Sequence, residues 1–458
     1  HEALRLQRSP RVRAARAART VSRQRLTTFV TPRPSALVMR ALVPVNRALC
    51  LGGVPGLRGL PGLRRVPGIR GLSDVVRVDW PHAHLERLRQ VVNPATAAFI
   101  APNHPEFFTD WMLDKELSAR AAPLMASWAT HEVVNGMGAI AQWFWLKNNL
   151  IAQIPGAGGA AGRAHSVEWA LRGHGVLLHP EGAVGWHADR IAPLFPGVVD
   201  MALEAAALAV RRGMDRTVHV VPVVWKLRFT GDVMAALGGE LARAEAALGI
   251  TAGGGDPARR VARAYTLVLA REAAALGMAV DARADYFAIQ RQLLEGIAVR
   301  LRQGLSAAVN DLPEPAADPL DEARALLRAA ERWLRQPQGD AARIRQLTRA
   351  GRRCLRLTPE MVSAAHWHQE DLAENIKRQR IDWRLGGWRE AVHRFIPVPA
   401  RARVAHVRVA PPMGVAPAAR SAALLAQLRG SLQHTLDALL DEIAPLRLGP
   451  RFASPFLG

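Results

Sequence analysis

Between Val76 and Trp225, short apolar runs alternate with helical stretches, and this alternation constrains the fold more than any other feature of the chain. The candidate strands are "TAAFIAP" (Thr96 to Pro102), "LMASWA" (Leu124 to Ala129), "LIAQIP" (Leu150 to Pro155), "GVLLHP" (Gly175 to Pro180) and "VHVVPVVW" (Val218 to Trp225). "DWMLDKELSARA" and "AHSVEWALRGH" have helical spacing between them, and "DMALEAAALAVRR" is helical by propensity. Such alternation predicts an α/β fold with a mostly parallel sheet flanked by helices. Parallel strands deliver site residues from loops at their carboxyl ends. His104 follows the first of these strands and Glu181 the fourth, so the two are expected to converge on one rim.

Around this core the text differs. Residues 1–75 form a basic segment in which His1 to Leu72 carry 15 Arg and one acid, Glu2. Arg33, Arg40 and Arg47 stand seven apart, which on a helix places them on one stripe beside Leu37, Val38, Leu42, Val43 and Leu49. That pattern suits a helix in an anionic membrane interface, although Pro44 argues against one unbroken helix. "GGVPGLRGLPGLRRVPGIRGL" then reads as an irregular linker. After the core of residues 76–229, residues 230–400 are dominated by Ala, Leu, Arg and Glu. "DARADYFAIQRQLLEGIAVRLRQGL" and "DPLDEARALLRAAERWLRQ" predict long amphipathic helices there, separated by the Pro-rich "NDLPEPAADP". Residues 401–458 return to a strand, "RVAHVRVAPP", and a closing helix, "SAALLAQLRGSLQHTLDALLDEI".

Net charge is +22, which favours acidic partners such as nucleic acid, anionic lipid or phosphorylated small molecules. Arg greatly outnumbers Lys alongside heavy use of Ala, a pattern that codon bias can produce, so the charge is discounted as a sign of partners. Cys50 and Cys354 make neither a disulfide framework nor a metal spacing, and a reducing cytoplasmic setting is expected. No run of about 18 apolar residues lacks charges, and no signal peptide is recognisable. The first residue is His1 rather than Met, which suggests a trimmed or misassigned start.

"APNHPEFFTDW" (Ala101 to Trp111) sets His104 between Asn103 and two carboxylates, Glu106 and Asp110. A lone His beside a strand is ordinarily structural. Here three further pieces follow in order: "HPEGAVGW" (His179 to Trp186), "APLFPGVVDMAL" with Gly197 opening a helix, and "VVPVVW" (Val220 to Trp225). The ordered set, over roughly Asp79 to Trp225, resembles the glycerolipid acyltransferase family, which acylates lysophosphatidic acid and related acceptors. That family shows Asn-His-x4-Asp, then Phe-Pro-Glu-Gly-Thr-Arg, then a Gly-started helix, then a Val-Pro-Val strand. "THEVVNGMGAIAQWFWLKNNLIAQIPG" also resembles the intervening segment, with His131 and Glu132 in place of a Lys-Glu pair.

The resemblance implies a family-like sheet with residues 230–400 as a long helical insertion before the last strand and helix. It implies transfer of an acyl group from acyl-CoA or acyl carrier protein to a lipid hydroxyl, with no metal or redox cofactor. His104 would be the base and Asp110 its orienting carboxylate; Asn103, Glu181 and Gly182 would lie on the substrate side. Imidazole suits the task because its free pKa lies nearest neutrality, and a carboxylate on the other ring nitrogen fixes the tautomer. Direct attack by the acceptor needs no Ser or Cys nucleophile.

Two departures stand out. Five residues separate His104 from Asp110 instead of four; the His-Pro variants of the family tolerate this, and Glu106 is the next candidate for the orienting role. The Glu-Gly-Thr-Arg becomes Glu181-Gly182-Ala183-Val184, losing an Arg that would meet an acceptor phosphate. Arg163 or Arg190 could supply that charge; otherwise the acceptor is not a lysophosphatidate. The expected setting is the cytoplasmic face of a membrane, held peripherally on anionic lipid. A lipid-binding protein without catalysis is the competing reading on the same scaffold.

Other motifs carry less. "PGAGGAAGR" (Pro155 to Arg163) lacks the Lys-Ser/Thr ending of a phosphate loop and reads as a flexible loop. "HWHQED" (His366 to Asp371) reads as a solvated helix face rather than a metal site. "QWFWLK" (Gln142 to Lys147) reads as core by default, with a membrane-facing or acyl-chain-facing patch as the alternative. Nothing resembles a basic recognition helix or an aromatic-interleaved strand, so no nucleic-acid partner is expected.

Overall fold

A computed structural model describes residues 28–51, 73–154, 159–182, 189–251, 254–281, 284–306, 309, 312–334, 341–355, 357–383 and 402–457. Most of the Arg-rich start, the Gly/Pro linker, the head of the Gly-rich loop, and Ala183 with Val184 lie outside them. Two compact units divide the chain: His1–Gly185, Ile191–Arg228 and Ala402–Pro445 form one, and Trp186–Arg190, Phe229–Arg401 and Leu446–Gly458 the other.

The first unit holds a mostly parallel eight-stranded sheet flanked by helices. In chain order its elements are α1 (Ala36–Val45), β1 (Val75–Asp79), α2 (His82–Val91), β2 (Thr96–Pro102), α3 (Phe107–Ala121), β3 (Ala126–Thr130), α4 (His131–Gly136), α5 (Ala139–Lys147), β4 (Leu150–Gln153), α6 (Gly159–Leu171), β5 (Val176–Leu177), α7 (Gly197–Arg211) and β6 (Thr217–Phe229). The strand order is β1-β8-β6-β2-β5-β3-β4, with β8 at Arg403–Val409 and β9 (Met413–Gly414) antiparallel on β6.

Alternation along the strands builds two cores. Ala97, Phe99 and Ala101 of β2, with Val218, Val220 and Val224 of β6, face α6, α7 and the long C-terminal helix, Ser421–Ile443. Ile100 of β2, with Val221, Val223 and Trp225 of β6, faces α2 and α3. Burial on both faces is why these strands read as continuous apolar runs. The chain leaves β2 through α3 on one face of the sheet and leaves the neighbouring β5 through α7 on the other, so the two connections diverge in opposite directions. In open α/β sheets, sites form where connections diverge in this way, at the carboxyl ends of the two strands.

The second unit holds the helical region between strands: α8 (Met234–Ala247), α9 (Pro257–Ala275), α10 (Tyr286–Ser306), α11 (Pro319–Trp333), α12 (Ala341–Cys354) and α13 (Gln369–Trp383). Asp256 and Asp318 cap α9 and α11 through their carboxylates, each followed by Pro at the first helical position. Leu293, Ile297 and Leu301 of α10 meet Leu326 of α11 and Leu347 of α12 in a shared core.

Several local expectations change. β5 is two residues long rather than reaching Pro180, because Pro180 lacks an amide and His179 O accepts from Gly182 N–H in a tight turn. "HWHQED" is not one helix face: His366 and Trp367 form β7, which pairs with β10 (Phe452–Ala453), and Gln369 opens α13. Glu370 is buried and accepts Phe229 N–H at 3.0 Å, so the motif is packed rather than solvated. The spaced arginines do not share one role either. Arg33 precedes α1, Arg40 is exposed on it, and Arg47 follows it, making a bidentate pair with Glu116 of α3 at 2.9 Å for each contact. Pro44 is accommodated in the last turn of α1, which continues as a π turn, Asn46–Leu51.

Phe99 is fully buried in the middle of β2. Phe99→Ala should therefore destabilise the sheet unit by about 3–5 kcal/mol, read as a drop in its urea midpoint.

Candidate active site

The β2 strand ends at Pro102, and Asn103 turns the chain. The Asn103 side chain accepts Trp225 N–H (2.9 Å) and donates to Trp225 O (3.1 Å), while its own N–H donates to Val223 O (3.0 Å). Its carboxamide is thus occupied in stapling the end of β2 to β6, a role the substrate-side expectation did not include.

His104 follows. Its backbone N–H donates to Glu181 Oε1 (2.9 Å), and Ala192 N–H donates to Glu181 Oε2 (3.1 Å). Glu181 therefore ties the turn after β5 to the turn after β2. Gly182 has φ +63°, and a Cβ there would lie 2.7 Å from the Phe195 ring, so the turn requires glycine.

The Asp110 carboxylate lies in the first turn of α3. Its Oδ2 is 2.5 Å from His104 Nδ1 and accepts Glu106 N–H at 2.9 Å; its Oδ1 accepts Trp225 Nε1–H at 3.0 Å. The imidazole accordingly presents Nδ1–H to the carboxylate and leaves Nε2 as an acceptor. That Nε2 has no hydrogen-bond partner among the described residues. The extra residue between His104 and Asp110 is absorbed at the helix start: Asp110 N–H closes the first turn on Glu106 O (2.8 Å) while its side chain caps Glu106 N–H. The start of α3 also places its partial positive charge beside the carboxylate. Glu106 is not the orienter; it accepts from Thr109 and pairs with Arg403 Nη2 at 2.9 Å.

Two more groups join the site. The His179 ring stacks on His104 with centroids 4.2 Å apart and planes 20° apart, and the Trp225 ring meets its edge at 5.8 Å. His179 Nδ1 lies 3.0 Å from Asn103 O and Nε2 lies 3.5 Å from Asp114 Oδ2, so both nitrogens face acceptors. Burial alone would lower the His179 pKa, but the Asp114 carboxylate, joined by Asp110 and the Asn103 carbonyl, outweighs it, and the group is raised to about 9. Burial, then the charge on His179, hold His104 well below its ordinary value. Burial pushes Asp110 above the usual carboxylate range, opposed in part by His179 and by Glu106 N–H. These directions keep the His104 imidazole neutral, the state a base requires.

His104, Asp110 and His179 also bring one potential ligand atom each within 4.8 Å of one another. A cation there would have to displace the Nδ1–carboxylate bond of His104 or the contacts of His179 with Asn103 and Asp114. The donor set therefore fits a hydrogen-bonded relay better than a metal centre.

Of the residues proposed from sequence, His104, Asp110, Asn103, Glu181 and Gly182 come together. Arg163 does not: it is exposed on α6 and pairs with Glu204 of α7 at 3.3 Å. Arg190 belongs to the second unit, where its Nε lies 3.4 Å from Ser363 Oγ. Sequence reasoning missed His179, Asp114 and Trp225 as site residues. A signal was present: Asp110 and Asp114 stand four apart on α3 and so share a face, each toward a different His. In sequence comparison, no protein-family model and no curated protein matches the chain.

Burial raises the Glu181 carboxyl from an ordinary 4.5 to about 7, against the two backbone amides that favour its charged form. A raised carboxyl contributes stability that is full below its unfolded pKa and is lost as pH rises through its folded one. Glu181→Gln should therefore remove about 3 kcal/mol of the stability change between pH 4.5 and 7, measured as the difference between wild-type and variant urea unfolding at each end.

Proposed function

We propose that this chain is an acyltransferase that moves a fatty acyl group from acyl-CoA or acyl carrier protein to a hydroxyl of a glycerolipid-like acceptor. The observation that carries the reading is the 2.5 Å contact between His104 Nδ1 and the buried Asp110 carboxylate, with Nε2 left open. In the proposed reaction the acceptor hydroxyl gives its proton to His104 Nε2 as its oxygen attacks the thioester carbonyl carbon. The C–S bond then breaks, and the departing thiolate takes that proton back, so the base is regenerated without an acyl-enzyme. Asp110 holds the ring in the required tautomer and stabilises the transient imidazolium. The order of motifs from His104 to the β6 strand adds support through its resemblance to glycerolipid acyltransferases.

The acceptor side lacks a resident Arg at the position where that family has one, and Arg163 is paired elsewhere. An acceptor without a phosphate next to its hydroxyl therefore fits this site as well as a lysophosphatidate does.

Association with an anionic membrane surface belongs to the same proposal. No helix among the described residues is long and apolar enough to cross a membrane. Helix α5, "AIAQWFWLK", is largely apolar yet has no buried residue. Ile140 is 86% exposed, Met137 just before the helix 62%, and Trp143 55%. The opposite side of α5 places Trp145 and Leu146 against Val134 and Leu150. Exposed Arg33 and Arg40 are close in sequence to the backbone bonds that join residues 33 and 35 to Leu146 and Lys147. An apolar, Trp-bearing surface with nearby cations suits the headgroup boundary of an anionic bilayer.

His104→Ala should lower thioester consumption with lipid hydroxyl acceptors by at least about 10²-fold, and Asp110→Asn should lower it with retained folding. Turnover unchanged by His104→Ala would eliminate the mechanism; liposome binding with no turnover by any acceptor would favour the lipid-binding reading instead. Replacing Ile140 and Trp143 together with Asp should release the protein from phosphatidylglycerol vesicles in co-sedimentation, with thermal stability unchanged.

A further inference from the structure

Beneath the base lies a second buried imidazole–carboxylate pair that general-base chemistry does not require. His179 follows β5 and Asp114 lies on α3, one turn beyond Asp110. Both side chains are largely buried, at 11% and 6% exposure. Asp114 Oδ1 has no hydrogen-bond partner among the described residues, and Oδ2 faces His179 Nε2 at 3.5 Å. A buried carboxylate so poorly solvated needs a counter-charge. His179 can supply it, because its other nitrogen faces a carbonyl oxygen, Asn103 O, at 3.0 Å. Both ring nitrogens then carry protons.

We infer that His179 is a positioning residue for the base: held as an imidazolium by Asp114, it fixes the ring plane of His104 by stacking and keeps a permanent cation against its face. The inference rests on the reading of His104 as the base. The sequence pattern that the chain resembles has Phe at this position, where this chain has His179. The titratable groups that interact with His179 are Asp110 and Asp114 on α3, Glu181 on the turn after β5, and His104 itself; Lys115 and Glu106 are near neighbours of Asp114 and Asp110. Lys115 directs its Nζ to Asn148 O at 3.3 Å, and Glu106 is paired with Arg403, so Asp114 is the carboxylate facing His179 Nε2. A cation held 4.2 Å from the His104 ring opposes its protonation. Added to burial, which is the larger cause, this keeps His104 a free base at pH values where an ordinary imidazole would be half charged. The stacked ring also resists rotation about the His104 side chain, which keeps Nδ1 on Asp110 and Nε2 away from it.

The test uses the full chain labelled with ¹⁵N at histidine, followed by NMR across pH, with parallel kinetics. His179→Phe retains a stacked ring and removes the charge; His179→Gln removes both; Asp114→Asn removes the counter-charge. In wild type, both His179 nitrogens should stay protonated to near pH 9, and His104 should be neutral at pH 6. In His179→Phe and His179→Gln alike, the His104 midpoint should move up by about 1–3 pH units. In Asp114→Asn the His179 midpoint should fall. With an acyl thioester and a lipid acceptor, the acid limb of kcat/KM in His179→Phe should move to higher pH with the His104 midpoint, while KM on the plateau changes less than twofold.

A His104 midpoint that stays in place in both His179 variants would overturn the inference. So would a wild-type His179 that loses its proton at or below 6.5, or one that is indifferent to Asp114→Asn. Absence of turnover in wild type at every pH would overturn the acyltransferase reading alone, because the titration of His104 and His179 is read without catalysis.

Discussion

The Asp110 carboxylate is the point on which the site is assembled. Three donors from three parts of the chain converge on it: His104 Nδ1, the Glu106 amide at the start of α3, and the Trp225 indole from β6. Each donor has its own anchor. Trp225 is locked to Asn103 through both of its backbone groups, and His104 is locked to the β5 turn through Glu181. A buried carboxylate without such donors would be strongly disfavoured. The interactions that permit Asp110 to be buried are therefore the ones that aim the imidazole.

Two imidazole–carboxylate pairs arise from one helix face. Asp110 and Asp114 stand four apart on α3, and the turns after β2 and β5 bring one His to each. The pairs then take opposite electrostatic roles. His179 faces acceptors on both nitrogens and is pushed up to about 9, while His104 is pushed down by burial first and then by the charge on His179. Identical side chains thus acquire different protonation from their surroundings, which is the general route by which one site obtains both a cation and a free base.

Much of the α/β fold was legible in the sequence because burial on both sheet faces leaves an unambiguous mark. β2 falls on Thr96 to Pro102 as read, the last helix spans Ser421–Ile443 as read, and the helical region between β6 and β8 follows the loss of strand signals. Errors cluster where short-range hydrogen bonds override pattern. β5 stops early because of Pro180 and the His179–Gly182 turn, and α3 starts early because Glu106 O accepts the Asp110 amide. "HWHQED" looked like a polar helix face, yet Gln369 and Glu370 are buried accepting the amides of Val233 and Phe229, and polarity alone does not show which backbone donors lie nearby. The exposed α5 helix was the reverse case: an apolar run whose default destination is the interior is left outside it.

The sequence by itself determined that the sheet is mostly parallel and flanked by helices, and that His104 and Glu181 follow strands whose carboxyl ends could share one rim. Hydrophobic period and strand–helix alternation are local properties, so they survive in one dimension. Only the tertiary structure decided which carboxylate faces which imidazole, that Asn103 and Glu181 hold backbone, and that Trp225 and Asp114 belong to the site. Those outcomes depend on strand order. β6 is adjacent to β2 through a crossover more than a hundred residues later in the chain, and the pairing of Pro102 with Val223 sets where Trp225 ends up. Register between distant strands fixes distances to a fraction of an ångström, and no spacing within a single segment encodes it.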